Sequence, residues 1–519
     1  MPVNGSVVPR LVLSRWRWWL GGGAVAYATG LVLLRGAPTT SSDPGIFLSV
    51  AARLLHGDRL YVDVYDNKGP LFYYSYAGAL WVLGWRGPFL LDIVWLALAA
   101  AFSALLVRSI GGSRLLAAVA FALYPLILTG TWYYAGYSRL AIFSIIPLIG
   151  WLWLRRSFAW AGALVCAGML FDLGLTLVLL SVPLALLALG VPDGKRRFQA
   201  GRAAAGLGAA AAVAIAFMAA VGELGGYVHT MIGNVAYSNN VLRDTAREGG
   251  ITGHIHVAER LIPHFNEVRI VFLVVGALTV YSLARAWRAR SLGATETILA
   301  AIFLSTSLTV SITLALTAAW GQHDQMLALP ATWLVLFVLV RFQLIRWLVP
   351  RAAGMAAVIA LSPVLLGGTI GGTLQLTKAS GLSISSWHSP PLNNTAAALN
   401  RVRREQMPGL ARVTYTHLGR NDEEAQAAFL DDEFKLACPV FHQYMFTADL
   451  DGVLRCIREK RPRLILVTST FVTLWSAPDR WNVFISQGER LLRDRYLLTL
   501  TRPDPIGPVQ VWKLRSGAK

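Results

Sequence analysis

Charged residues are scarce in this chain. Asp, Glu, Lys and Arg make up 14% of its 519 residues, against 55% hydrophobic. A soluble core does not need so large an apolar share, which argues against an ordinary water-soluble domain. Acids are scarcer than bases, 28 against 47, for a formal net charge of +19. Cysteine is nearly absent: Cys166, Cys438 and Cys456 show neither zinc-ligand spacing nor a CxxC pair. No nucleotide-binding motif occurs anywhere. The C-terminal region has no phosphate loop, nucleophile elbow or paired catalytic carboxylates.

What is present is long apolar sequence, with a mean hydropathy of +0.52. The basic opening PRLVLSRWRWWLGGGAVAYATGLVLLRG runs into a stretch of membrane length. It is read as an uncleaved first helix because charged sequence follows directly. Further apolar runs lie near 88–107, 114–132, 138–154, 158–173, 174–190, 203–221, 267–284, 296–318, 325–340 and 352–373. Between them fall short basic clusters: Arg10/Arg15/Arg17, Arg108/Arg114, Arg155/Arg156, Lys195/Arg196/Arg197/Arg202, Arg285/Arg288/Arg290 and Arg341/Arg346/Arg351. A nucleic-acid binder gathers its cations on one folded face. This spacing instead follows the positive-inside rule, so nucleic acid is not expected as a partner.

Placing every basic cluster in the cytoplasm gives eleven crossings from an inside N-terminus, with the region after 378 outside. The segment 70–85, PLFYYSYAGALWVLGW, then cannot cross without inverting the later clusters. Its Tyr and Trp content suits an interfacial or re-entrant helix. The expected organisation is a polytopic α-helical membrane domain over 1–378 and an extracytoplasmic α/β domain over 379–519. Two long outside loops interrupt the first, at 36–87 and 222–266. The tail alternates short β-branched runs (VTYTH, RLILVTST, YLLTLTR, VQVWKL) with helical segments, the signature of α/β architecture. Cys438 and Cys456 would both face an oxidising space, as a disulfide or as two core thiols.

The first outside loop holds the chemistry. DPGIFLSVAARLLHGDRLYVDVYDNKGPLFYY, residues 43–74, carries Asp43, Asp58, Asp63, Asp66 and Lys68 between apolar segments and closes on Gly69-Pro70. Asp43 is either a general base or simply the N-cap of the helix through Ala52. Asp66 and Lys68 are either site residues or a solvated turn pair. Asp172, inside LFDLG, would sit at the outer end of its helix. His254, His256 and Glu259 share the second long loop, with spacing too irregular for a metal site. No cofactor is expected. A divalent metal stays open on chemical grounds, without ligand spacing to support it.

This stretch resembles the first outside loop of membrane glycosyltransferases of the GT-C class, such as protein O-mannosyltransferases and aminoarabinose transferases. Asp43 matches their first acidic position, and Gly57 to Tyr61 match a turn ending in Tyr. Asp66-Asn67-Lys68-Gly69-Pro70-Leu71 stands where the family carries an acidic-x-Lys-Pro-Pro-Leu motif. GQHDQMLALP, 321–330, is similar to a late outside loop of that class, and VLRCIREKRPRLILVTS to the extracytoplasmic domains of bacterial relatives. One position departs: Ser138, followed by Arg139, stands where family members carry a second site Asp. Asp66 is then the best replacement.

The resemblance implies an inverting transferase that takes sugar from a polyprenyl-phosphate donor at the outer face of the cytoplasmic membrane. The acceptor would be a hydroxyl of a cell-wall glycan, a glycolipid or a protein; membrane lipids surround the site. Asp43 would serve as base, with Asp66 as the second carboxylate. Lys68, Arg139, His323 and Arg260 would meet the lipid phosphate. Tyr61, Tyr134, Tyr137, Ser138 and Gln325 would contact sugar or acceptor. Two other readings fit a polytopic chain: a transporter or flippase of a lipid-linked sugar, and a catalytically silent relative that serves as an assembly partner. Neither requires a base in the first outside loop, and no inverted repeat is evident.

Overall fold

The computed structural model describes residues 43–64, 68–84, 87–130, 138–192, 194–232, 292–315, 325–342, 394–410, 413–418, 434–438, 450–467, 478–502 and 509–517. The chain divides into two compact units. The first comprises 1–36, 89–213 and 248–381. The second comprises 37–88, 214–247 and 382–519, so the first long loop, the second as far as residue 247 and the C-terminal region belong to one unit.

The first unit is helical because its segments are apolar on nearly every face, and a backbone in such surroundings must satisfy its own hydrogen bonds. In chain order the described helices from Asp43 are α1 (Asp43–Leu55) and α2 (Pro70–Leu83), which belong to the second unit, then α3 (Gly87–Ser109), α4 (Arg114–Gly130), α5 (Ser138–Leu154) and α6 (Phe158–Phe171). They continue as α7 (Thr176–Leu189), α8 (Arg196–Ala220), α9 (Ala294–Ala315) and α10 (Ala328–Arg341). Among the described residues, three stretches are long and apolar enough to cross a membrane: Leu90–Ser109, Arg196–Ala220 and Ala294–Ala315. Others are shorter than expected. α6 and α7 have 14 residues each, roughly 21 Å at 1.5 Å per residue, less than a hydrocarbon core of about 30 Å.

Packing in this unit uses small residues and hydroxyls. α9 lies against both α7 and α10, and Ser305 donates to the Ser181 carbonyl at 2.7 Å. Thr295 donates to the Ile110 carbonyl at 2.8 Å. The α6–α8 crossing is closer still: a Cβ on Gly162 would overlap the Ala203 carbonyl, and one on Gly206 the Ala159 carbonyl. Two glycines thus let the backbones touch, the small-residue mode of helix association in lipid.

The C-terminal part of the second unit is a three-layer α/β fold. Its five-stranded sheet has the order β2-β1-β3-β5-β4. The strands are β1 (Val413–Leu418), β2 (Phe434–Leu436), β3 (Leu464–Val467), β4 (Tyr496–Arg502) and β5 (Val509–Leu514). β2, β1 and β3 run parallel, while β5 is antiparallel to β3 and to β4. Alternation along β3 sends Leu464 and Leu466 to one face, with Ala398, Leu399 and Val402 of α11 (Asn394–Gln406). Ile465 faces the other side, against Val453, Leu454 and Ile457 of α12 (Leu450–Lys460) and Leu491 and Leu492 of α13 (Pro478–Arg495). Cys438, just past β2, is joined by a disulfide to Cys456 on α12.

Candidate functional site

Asp43 is the first residue of α1, with Pro44 in the opening turn, where its missing N–H costs nothing and its fixed φ favours the helix. That placement suits a cap and a poised base alike. α1 packs on α2 through a ring cluster: Phe47 lies 4.9 Å from Phe72, 6.2 Å from Tyr73 and 6.4 Å from Tyr76. Tyr73 and Tyr76 are buried packing groups.

Between these helices the chain makes a tightly tied loop. α1 ends on Gly57 at φ 90°. Arg53 then pairs with Asp58 at 2.6 Å, and Arg59 with Asp63 at 3.2 Å. Burial opposes ionisation of Asp63, but the Arg59 backbone N–H, side chain and charge outweigh it and hold this carboxyl below its usual range. These two acids are therefore spent on the loop's own structure.

Tyr61 is the centre of the loop. It is a non-glycine residue at φ 62°, a conformation that costs about 1–3 kcal/mol and persists only where surroundings enforce it. Three contacts do so: its N–H donates to the Val64 carbonyl at 2.6 Å, its phenol donates to the Lys68 carbonyl at 2.6 Å, and its ring lies 5.3 Å from Tyr227. Its side of the contact with 224–232 is open only because residue 226 is glycine; a Cβ there would overlap the Tyr61 carbonyl. Tyr61 is 1% exposed, so its phenol serves the loop rather than a sugar or acceptor. What it does is fix the main chain of Lys68, two residues before α2.

Glu223 is the residue that sequence reasoning missed. It follows α8 and is 1% exposed. It accepts from the Leu60 N–H at 2.7 Å and from the Tyr74 phenol at 2.8 and 2.9 Å. Burial, then the hydrogen bond and charge of Glu223, push the Tyr74 phenol well above its ordinary value, so Tyr74 stays a donor. A lone acid straight after an apolar helix, in VGELGG, was the available signal. Asp92, buried within α3, carries the same signal and was also missed. Asp172 resolves as a cap: it ends α6 and accepts from the Gly174 N–H at 3.1 Å.

The other expected site residues fall as follows. Lys68 and Tyr61 share the loop just described. Ser138 opens α5, with Arg139 next to it and only 3% exposed. Gln325 opens a short 3-10 turn into α10. These three belong to the first unit. Asp66, Tyr134, Tyr137, Arg260 and His323, and the histidines at 254 and 256, lie outside the described residues. Among the described residues, no group of three or more His, Cys, Asp or Glu side chains is placed to hold a metal ion.

Comparison with protein-family models gives no match, and comparison with curated proteins gives none either.

Proposed function

We propose that this chain is an inverting glycosyltransferase that moves a sugar from a polyprenyl-phosphate donor to a hydroxyl acceptor at the outer face of the cytoplasmic membrane. The observation that carries the reading is the strained loop in which Tyr61 holds the main chain of Lys68, following a helix that opens on Asp43. Backbone strain of this kind gathers at functional sites.

In the proposed reaction Asp43 takes the proton of the acceptor hydroxyl as its oxygen attacks the anomeric carbon. The bond to the lipid phosphate breaks, and cations stabilise the charge left on that phosphate. Lys68, Arg139, His323 and Arg260 are the proposed cations, and Asp66 the second carboxylate. One displacement on one face inverts the anomeric centre.

The proposed topology has an inside N-terminus, eleven crossings and the C-terminal domain outside. The disulfide Cys438–Cys456 supports an outside location for that domain, since such bonds persist in oxidising compartments.

The test is transfer from a radiolabelled polyprenyl-phosphate-sugar pool by the purified protein in lipid. Labelled product is expected, and Lys68→Ala should lower kcat/KM by weakening both donor binding and departure of the phosphate. Movement of labelled donor across vesicles without product would support a flippase instead. An unchanged kcat/KM in Lys68→Ala would remove that residue from the site.

A further inference from the structure

At one end of the first unit four helix termini meet. Trp153, in the last turn of α5, donates from its indole N–H to the Val191 carbonyl at 3.1 Å, in the turn after α7. Trp153 also contacts Phe158 at the start of α6 (5.2 Å), and Phe158 contacts Phe198 in the first turn of α8 (6.3 Å). The end of α5, start of α6, end of α7 and start of α8 therefore form one rim. This rim carries Arg155, Arg156, Lys195, Arg196, Arg197 and Arg202, all exposed, and no Asp or Glu among its described residues.

Immediately inside the rim, α6, α7 and α8 enclose a half-open cleft of about 200 Å³. Its wall includes Trp153, Gly162, Val165, Pro183, Leu187 and Ala204. The wall offers no polar group to a ligand, since the Trp153 N–H is already used by Val191. A cleft of that size is below the roughly 300–1,000 Å³ of pockets that enclose a whole small molecule. It suits part of a hydrocarbon chain entering from the side.

We propose that this cleft and its rim form a binding site for an anionic phospholipid, the acyl chain lying between α6, α7 and α8 and the headgroup phosphate on the arginines. Apolar surface and cations occur here in the order a lipid presents them, chain inward and charge outward. Basic patches against membrane-embedded clefts recognise acidic headgroups through this pairing. Topology alone would explain the cations but not the cleft beneath them. The site stands apart from the proposed transfer chemistry and does not depend on it.

The experiment titrates dioleoylphosphatidylglycerol, dioleoylphosphatidylcholine or inorganic phosphate into the purified full chain and follows the thermal unfolding midpoint. The phosphatidylglycerol should raise the midpoint saturably, while the phosphatidylcholine and phosphate should leave it in place. Arg155→Gln/Arg156→Gln/Arg197→Gln should weaken the apparent affinity by roughly a hundredfold, the loss expected for three cations near an acidic headgroup. Ala204→Phe, at an exposed wall position, keeps every charge but fills the cleft, and should abolish the shift without lowering the basal midpoint. An equal response to phosphatidylcholine, a shift with phosphate alone, or an intact response in Ala204→Phe would each overturn the proposal.

Discussion

At the scale of single residues, two carboxylates ask for different experiments. Asp43 begins a helix and could do no more than cap it. Asn caps about as well as Asp but cannot accept a proton. Asp43→Asn should therefore fold normally and bind donor, yet lose about a hundred- to ten-thousand-fold in transfer rate, the usual share of general-base catalysis. Transfer at the normal rate, measured beside thermal stability, would leave Asp43 as a cap. Glu223 is the opposite case: both its oxygens accept hydrogen bonds, from the Leu60 N–H and the Tyr74 phenol. Glu223→Ala should cost about 1–3 kcal/mol for each buried donor left without a partner. Combining it with Tyr74→Phe should cost less than the sum of the two single changes, read from unfolding midpoints. Simple additivity would deny the coupling. Asp43 was legible from sequence because a charged residue after an apolar run stands out. Glu223 was not, because its meaning depends on Leu60 and Tyr74, more than 140 positions away in the chain.

Elements were legible where periodicity is strong. The runs around VTYTH, YLLTLTR and VQVWKL became β1, β4 and β5, and the amphipathic segments between became helices. β2 escaped notice because Phe434–Leu436 is three residues long, too short for an alternating pattern. The shortness of α6 and α7 was hidden for another reason: an apolar run shows where a helix can go, whereas Asp172 and the turn after it decide where it stops. The α6–α8 crossing yields a test at this scale. Gly162→Val should destabilise by about 1–3 kcal/mol or more through overpacking. Gly201→Val on the same helix pair meets nothing within 4 Å and should be nearly silent in the same unfolding measurement. Equal effects at both positions would mean that the two helices do not touch there.

For the whole molecule, the proposed topology rests on the basic clusters, and the disulfide bears on it independently. A reporter fused after Lys378 should be active only outside the cytoplasm; cytoplasmic activity would invert the proposed topology. Reduction should also lower the unfolding midpoint of the C-terminal domain. The bond closes a separation of 18 residues, worth about 3 kcal/mol in the chain-entropy account. An unchanged midpoint under reductant would show that the bond adds no stability. The same bond has a consequence for the margin of the sheet. Among the described strands β2 is the outermost on its side, paired with β1 over only three residues, Val413 to Tyr415. Cys438 lies two residues beyond it and moors it to α12. Let go, so brief a strand would leave β1 bare, with a row of unpaired amides and carbonyls open to any passing strand. Copies of this domain made in a reducing compartment should therefore clump, strand against strand, while those that have been exported stay apart.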